Sequence, residues 1–249
     1  LIKFIWPIYL IYLHTVDSTN QYVKRRNRYM RNWTIVWSMN QTKGKGLEKN
    51  YWNVEKGKNL TFSVFLKSIN LALDKGYIIN LLISNAIHKT LFFYNKNFWI
   101  KWPNDIIFMN KKIGGILTEN SIYHRKIHRT IIGIGLNVNQ MKFDENFQAT
   151  SMKIIFNKNF KLEKLFYKLI LSIQKEYLFF TSYGEVFVRN YYMNHLYRKN
   201  QISYFYNNKI NKYIQGTIRN ITKEGYLVIE ENHNKKLYCF STKEIKLIY

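Results

Sequence analysis

At 249 residues the chain suits one medium domain, or one domain with a small appendage. Its 47% apolar and 22% charged content excludes an intrinsically disordered chain, and a single cysteine, Cys239, excludes a disulfide scaffold or a thiolate zinc site and fits a reducing, cytoplasmic compartment. The 39 basic against 15 acidic residues leave +24, which suggests either a selected basic surface for nucleic acid or the Lys, Asn, Ile, Tyr and Phe surplus that A/T-rich codons impose; the similar charge density over residues 1–198 and 199–249 favours the second.

Residues 1–13 form the most apolar opening run, but Lys3 and Pro7 interrupt it well short of a membrane span, so a buried first strand is expected. The chain begins without Met. Asp17-Ser18-Thr19-Asn20 is a helix N-cap signal ahead of a helix over 21–28, whose Lys24, Arg25, Arg26, Arg28 and Arg31 read as a solvated face. A strand over 34–38 ends in Gln41-Thr42-Lys43-Gly44-Lys45-Gly46, a Gly-rich basic loop that suits an anion or, equally, a flexible surface turn. The apolar run 60–66 predicts another strand, and Leu82, Ile83, Ala86, Ile87 and Leu91 recur at helical spacing within 79–93.

A strand over 98–102 leads into Lys101-Trp102-Pro103-Asn104-Asp105, which presents a cation, an amide and a carboxylate at a strand end. A strand cap with Asn-Asp as a turn is the plainer reading. Lys111-Lys112-Ile113-Gly114-Gly115-Ile116-Leu117 opens a strand over 113–119, and its paired glycines allow close approach of a ligand or accommodate a bulge. His124 and His128 fall in a hairpin and lack a zincin glutamate, so no metal is expected there. The strand 130–137 ends in Gly133-Ile134-Gly135-Leu136-Asn137-Val138-Asn139, with two amides expected on one side. A second amphipathic helix carries Leu162 through Tyr177, and beyond about Lys199 short strands at 201–206, 216–220, 225–230 and 236–241 suggest a small β-barrel.

In this order, the Asp17, Gln41, Gly57-Lys58-Asn59-Leu60, Lys101, Lys112 and Gly133 strings together resemble the biotin protein ligases over nearly the whole chain. The Lys-Trp-Pro-Asn-Asp and Gly-Leu-Asn-Val-Asn strings are the specific ones. The resemblance implies an α+β fold: a class II synthetase-like mixed sheet flanked by helices over 1–198, with an SH3-like β-barrel over 199–249. It implies a bacterial enzyme, a monomer or homodimer, that uses ATP, biotin and Mg²⁺ to form biotinyl-5'-AMP. The biotinyl group then passes to a lysine of the biotin carboxyl carrier domain of acetyl-CoA carboxylase.

By motif position, Ser18, Thr19, Asn20, Gln41, Lys45, Gly46, Leu47, Lys112 and Gly115 would contact biotin, and Trp52, Lys101, Asn104, Asn137 and Asn139 the nucleotide. Lys112, Lys101 and Asp105 would carry the chemistry. The sequence departs from the family in its glycine-rich loop, where Lys45, Leu47, Glu48 and Lys49 stand for an Arg- and Gly-rich run. No helix-turn-helix precedes Asp17, so DNA binding is not implied; lipoate protein ligases share the fold and adenylation chemistry but not the Lys-Trp-Pro-Asn-Asp string.

Overall fold

The computed structural model describes residues 3–47, 50–145 and 147–248. In chain order its elements are β1 (Tyr9–Leu13), α1 (Thr19–Arg26), β2 (Thr34–Ser38), β3 (Leu60–Ala72), α2 (Tyr77–Phe92), β4 (Phe98–Lys101), β5 (Asp105–Phe108), β6 (Lys111–Tyr123), β7 (Lys126–Leu136), α3 (Met152–Phe156), α4 (Leu162–Asn194), β8 (Ile202–Asn207), β9 (Lys212–Ile221), β10 (Leu227–Glu231), β11 (Leu237–Phe240) and β12 (Ile245–Ile248). β1 to β7 form a mixed sheet in the order β1-β2-β3-β7-β6-β5-β4, parallel between β1 and β2 and antiparallel elsewhere.

Period-two alternation gives this sheet two different faces. Leu60, Phe62 and Val64 of β3 and Ile132, Ile134 and Leu136 of β7 join the main core with α2 and α4. Phe166 of α4 fixes that contact by stacking on Trp37 (centroids 4.5 Å apart) and meeting Phe62 edge-on at 5.2 Å. Val23 and Met30, in and just after α1, instead pack with Val36, Phe65 and Ile131 on the opposite face. That smaller cluster leaves the middle of the second face open, and the site lies there.

The opening run differs from expectation. Its strand is confined to β1, an edge strand with Tyr9, Leu10 and Tyr12 exposed. Residues 4–8 before it are not strand through Ile8, and they are held by Gln174 of α4, whose Oε1 accepts from Ile5 N (2.8 Å) and whose Nε2 donates to Trp6 O (2.9 Å). Pro7 supplies no backbone donor for a longer strand.

β8 to β12 form a second, antiparallel sheet in the order β11-β10-β9-β8-β12, not a closed barrel. Its outer strands β11 and β12 are joined by residues 241–244, a turn closed by Glu244 N to Ser241 O (3.1 Å). Such a turn spans about 7 Å, whereas a flat five-stranded sheet sets its edges about 19 Å apart. The sheet therefore curls without pairing its edges. It is pinned to the first sheet where Trp102 Nε1 donates to Gly225 O (2.9 Å), and Gly225, at φ 97°, lies so close to the Tyr77 ring that a Cβ would collide with it. Arg189 of α4 adds bonds to Ile221 O and Thr222 O. Among the described residues no helix is long and apolar enough to cross a membrane.

Candidate active site

Strand register builds the site. Thr61 of β3, Gly135 of β7, Gly115 of β6, Asp105 of β5 and Lys101 of β4 are successive cross-strand partners, forming one lateral row over five strands. Directly opposed residues project from the same face, so the row offers two vacancies where side chains would be, then a carboxylate and an ammonium, while the Thr61 hydroxyl at its end donates to Ser38 O (2.8 Å). Ser63, Gly133 and Leu117 make a second row alongside. Above them opens a cleft of about 900 Å³ between the two sheets, enough for a nucleotide with a small acid beside it.

At one end the start of α1 is wired into the sheet. Ser18, Thr19 and Asn20 are all buried. The expected cap is made differently: Ser18 takes the N-cap position without a side-chain bond, and Gln41 Oε1 accepts from both Thr19 N (2.8 Å) and Thr19 Oγ1 (3.1 Å). Ser63 Oγ lies 2.7 Å from Thr19 Oγ1 and 2.6 Å from Asn20 Oδ1, while Asn20 Nδ2 donates to Glu119 Oε2 at 2.9 Å. Gly133 is required beneath this network, because a Cβ there would meet Asn20 Oδ1 at 2.5 Å. Asp17 works outside it: a two-pronged pair with Arg25 (2.7 and 2.9 Å), with help from Ser18 N–H, pulls its carboxyl down to about 2.

At the other end the Lys-Trp-Pro-Asn-Asp string is the turn between β4 and β5 together with their last and first residues. The Trp102–Pro103 bond is cis. Asn104 clamps the turn to β6, its Nδ2 donating to Ile116 O (2.6 Å) and its carbonyl accepting from Ile116 N (3.0 Å). Tyr77, held neutral by burial that pushes its phenol up to about 12, donates to Pro103 O (3.2 Å), as does Asn80. On this support Asp105 Oδ1 and Lys112 Nζ pair at 2.6 Å. Lys101 lines the cleft beside them.

The Gly-rich loop closes over the hollow as a small hairpin. Lys45 bridges Tyr51, Gly46 N donates to Asn50 O (2.8 Å) and Trp52 N to Gly44 O (3.0 Å). Lys45, Gly46 and Leu47 line the cleft, whereas Glu48 and Lys49 lie outside the described residues. Trp52 lays its indole across the two central glycines: a Cβ on Gly135 would collide with the ring, 2.3 Å from its Cε2, and one on Gly115 would be 3.4 Å from it and 3.3 Å from Lys112 Cε. The Lys112 ammonium is 5.6 Å from the indole centroid.

The cleft lining thus brings together Ser18, Thr19, Asn20, Gln41, Lys45, Gly46, Leu47, Trp52, Lys101, Asn104, Asp105, Lys112 and Gly115. Asn137 and Asn139 are placed apart from it. β7 stops at Leu136, so the two amides do not share a strand face: Asn137 Nδ2 donates to Thr150 O (3.1 Å), and Asn139 exchanges two 2.9 Å bonds with the Phe160 backbone. Sequence reasoning missed Ser63 and Glu119, as well as Lys243 and Lys246, which line the far wall. Ser63 had one signal, a polar residue inside the apolar run of β3.

The profile of the Biotin/lipoate A/B protein ligase family matches residues 12–137, half of the sequence and most of this site. The chain belongs to that family. It is 27% identical over 237 residues to the bifunctional ligase/repressor BirA of Bacillus subtilis (strain 168), covering 92% of this chain and 72% of that protein. It is 29% identical over 182 residues to the BirA of Bacillus spizizenii, covering 71% of this chain; the match spans just over half, 56%, of that relative's length. In fold it is similar to the biotin protein ligase from Aquifex aeolicus in complex with biotin and ATP (TM-score 0.78, 24% identity, 96% of this chain and 98% of that one).

Proposed function

We propose that the chain is a biotin protein ligase, which joins biotin and ATP into biotinyl-5'-AMP and passes the biotinyl group to a lysine of a biotin carboxyl carrier domain, such as that of acetyl-CoA carboxylase. The observation that carries this reading is the row from Gly135 to Lys101 beside the group of Ser18, Thr19, Asn20 and Gln41, which aligns a neutral polar pocket, a floor without side chains and a cationic end within one cleft. A small acid with a polar head and an apolar body fits the first two, and a polyphosphate the third. The family description and the Aquifex aeolicus complex named above support the choice of biotin and ATP.

In the first step an oxygen of the biotin carboxylate bonds to the α-phosphorus, and the bond from that phosphorus to the bridging oxygen of pyrophosphate breaks. Two anions must meet, so Lys112 and Lys101 offset their repulsion and stabilise the charge that develops. Asp105 holds the Lys112 ammonium over Gly115. Ser18, Thr19, Asn20 and Gln41, ordered by Ser63, present hydroxyls and amides to the ureido ring, and Gly115 leaves room for the bicycle. Trp52 covers the floor, with Asn104 on the nucleotide side; Asn137 and Asn139 act indirectly by fixing the segment from Thr150 to Phe160.

In the second step the acceptor nitrogen attacks the carbonyl carbon, and the carbon–oxygen bond to AMP breaks. Asp105 receives the incoming ammonium, which must shed a proton before it attacks. Mg²⁺ would enter with the triphosphate and supply charge neutralisation there. Among the described residues there is no group of three His, Cys, Asp or Glu to cage it, and Asp105 is the one carboxylate lining the cleft. Residues 1–198 would hold the chemistry and 199–249 complete the cleft wall.

ATP–pyrophosphate exchange tests the proposal. Exchange should depend on biotin and on Mg²⁺; exchange supported by lipoate or octanoate and not by biotin would overturn it in favour of the other branch of the family.

A further inference from the structure

The hydrogen bonds beneath the polar pocket have a direction. Asn20 Nδ2 donates to Glu119 Oε2 (2.9 Å) and to Leu117 O (3.3 Å), and a carboxylate and a carbonyl only accept. The Asn20 amide is thereby held one way round, with its Oδ1 toward Ser63 Oγ at 2.6 Å. That oxygen also only accepts, so the Ser63 proton goes to it. Ser63 has no second proton for Thr19 Oγ1, 2.7 Å away, and at this contact Thr19 must donate. Thr19 N–H still donates to Gln41 Oε1 (2.8 Å), but the Thr19 hydroxyl has no proton left for that oxygen at 3.1 Å.

Two hydroxyl protons thus serve three contacts, and the unserved one joins Thr19 to Gln41, both of which line the cleft. Lone pairs face each other there, and a donor from a ligand relieves them. Glu119 stands at the opposite end of the chain of bonds, part-exposed, with its other oxygen 3.6 Å from the Lys24 ammonium. Its charge-assisted bond to Asn20 is shorter than the neutral one to Leu117 O, so it does most to fix the amide. With the amide turned over, Nδ2 would donate to Ser63, Ser63 to Thr19 and Thr19 to Gln41. Every contact would then be served from within, and the pocket would lose its demand for a donor.

We propose that Glu119 is a positioning residue for this end of the cleft: acting through Asn20, Ser63 and Thr19, it sets the direction of the hydrogen bonds so that the pocket accepts an N–H from its ligand. This deepens the ligase reading and rests on it for the identity of the ligand, biotin, whose cyclic urea carries two such N–H groups. Glu119 does not line the cleft; it decides whether the groups that do line it accept or donate. A ring without N–H groups would meet acceptor with acceptor, the arrangement a buried polar site tolerates least.

The test is calorimetric titration of wild type and Glu119→Ala with biotin and, by competition, with biotin methylated at both ureido nitrogens. The variant should bind biotin about tenfold more weakly and the methylated analogue nearly as wild type does, so that the preference for biotin narrows about tenfold. The KM for ATP should stay put. The preference is measured within each protein, so a general loss of stability does not move it; if Glu119→Ala does not fold, Glu119→Gln, which keeps the size of the side chain, should narrow the preference about threefold. Combining Glu119→Ala with Ser63→Ala should weaken biotin little beyond either change alone, because the chain of bonds is already broken. Equal weakening of both ligands, or losses that multiply to about a hundredfold in the double variant, would overturn the proposal by making Glu119 a general support. A wild type that binds no biotin would overturn the ligase reading and this proposal with it, whereas a wild type that binds biotin with a preference Glu119→Ala leaves intact would overturn this proposal alone.

Discussion

Asp105 and Gly115 are cross-strand partners on β5 and β6, and the Asp105 carboxylate pairs with Lys112 three residues earlier on the same strand as that glycine. The lysine reaches its place over the floor because Gly115 offers no side chain to block it. Lys112→Ala should lower biotin-dependent exchange by about 10² or more, since it removes a charge aimed at the reacting phosphate. It should change the melting temperature little, the side chain being 39% exposed. Lys112→Arg should also be impaired, because a planar fork does not replace a compact ammonium. Full exchange by the alanine variant would remove Lys112 from the chemistry.

Ser63 joins Thr19 to Asn20 from below. Ser63→Ala leaves Thr19 Oγ1 and Asn20 Oδ1 without that partner in a buried setting, which costs about 1–2 kcal/mol. The loss should appear as a KM for biotin raised about tenfold, with the KM for ATP nearly unchanged. Equal effects on both substrates would mean that the network supports the cleft generally and not its biotin end.

Gly135 and Trp52 give a paired test. Gly135→Ala puts a methyl group where the indole lies, so the ring and the hairpin from Gly44 to Trp52 must shift, while the strand bonds of β7 remain possible. Ligand affinity should fall at least about tenfold. In a Trp52→Ala background the same change should cost little, because the atoms it collides with are gone; independent, additive effects would show that the glycine serves something other than the ring.

Much of this arrangement was legible in the sequence, and the remainder was not for identifiable reasons. The glycines at 115, 133 and 135 mark close approach wherever they occur, and short runs rich in β-branched and apolar residues are enough to place 34–38 and 60–66 in a sheet. Register is not local information. That Thr61, Gly135, Gly115, Asp105 and Lys101 form one row depends on how five strands slide past one another, so β5 was hidden inside a presumed turn and Ser63 looked like an incidental strand residue. The two asparagines at 137 and 139 show the converse: their spacing suggested a shared face, but the strand had ended one residue too early. Strand patterns after 199 point to a small β unit and suggest a barrel, whereas the sheet is open, since closure depends on whether β11 meets β12.

His88 sets a pH dependence away from the cleft. The ring is buried between α2, α4 and β4; a carbonyl only accepts, so Nε2 carries the proton to Phe98 O (2.9 Å), and Nδ1 accepts from Tyr191 OH (3.0 Å). Burial lowers the imidazole from 6.5 to about 4, partly opposed by the Phe98 carbonyl and reinforced by the charges of His195, Lys89 and Lys96. The unfolded chain therefore takes up a proton that the folded chain refuses. His88 contributes its full stabilisation above pH 6.5 and loses it as pH falls from 6.5 toward 4, a loss of about 3 kcal/mol across the window. Asp17, lowered to about 2 from 3.8, acts only below that window. Urea unfolding at half-unit pH steps should show the wild type losing stability between pH 6.5 and 4, while His88→Gln, whose amide can still donate to Phe98 O, starts less stable and follows a flatter line. Parallel lines for the two proteins would show that His88 is not the group that titrates.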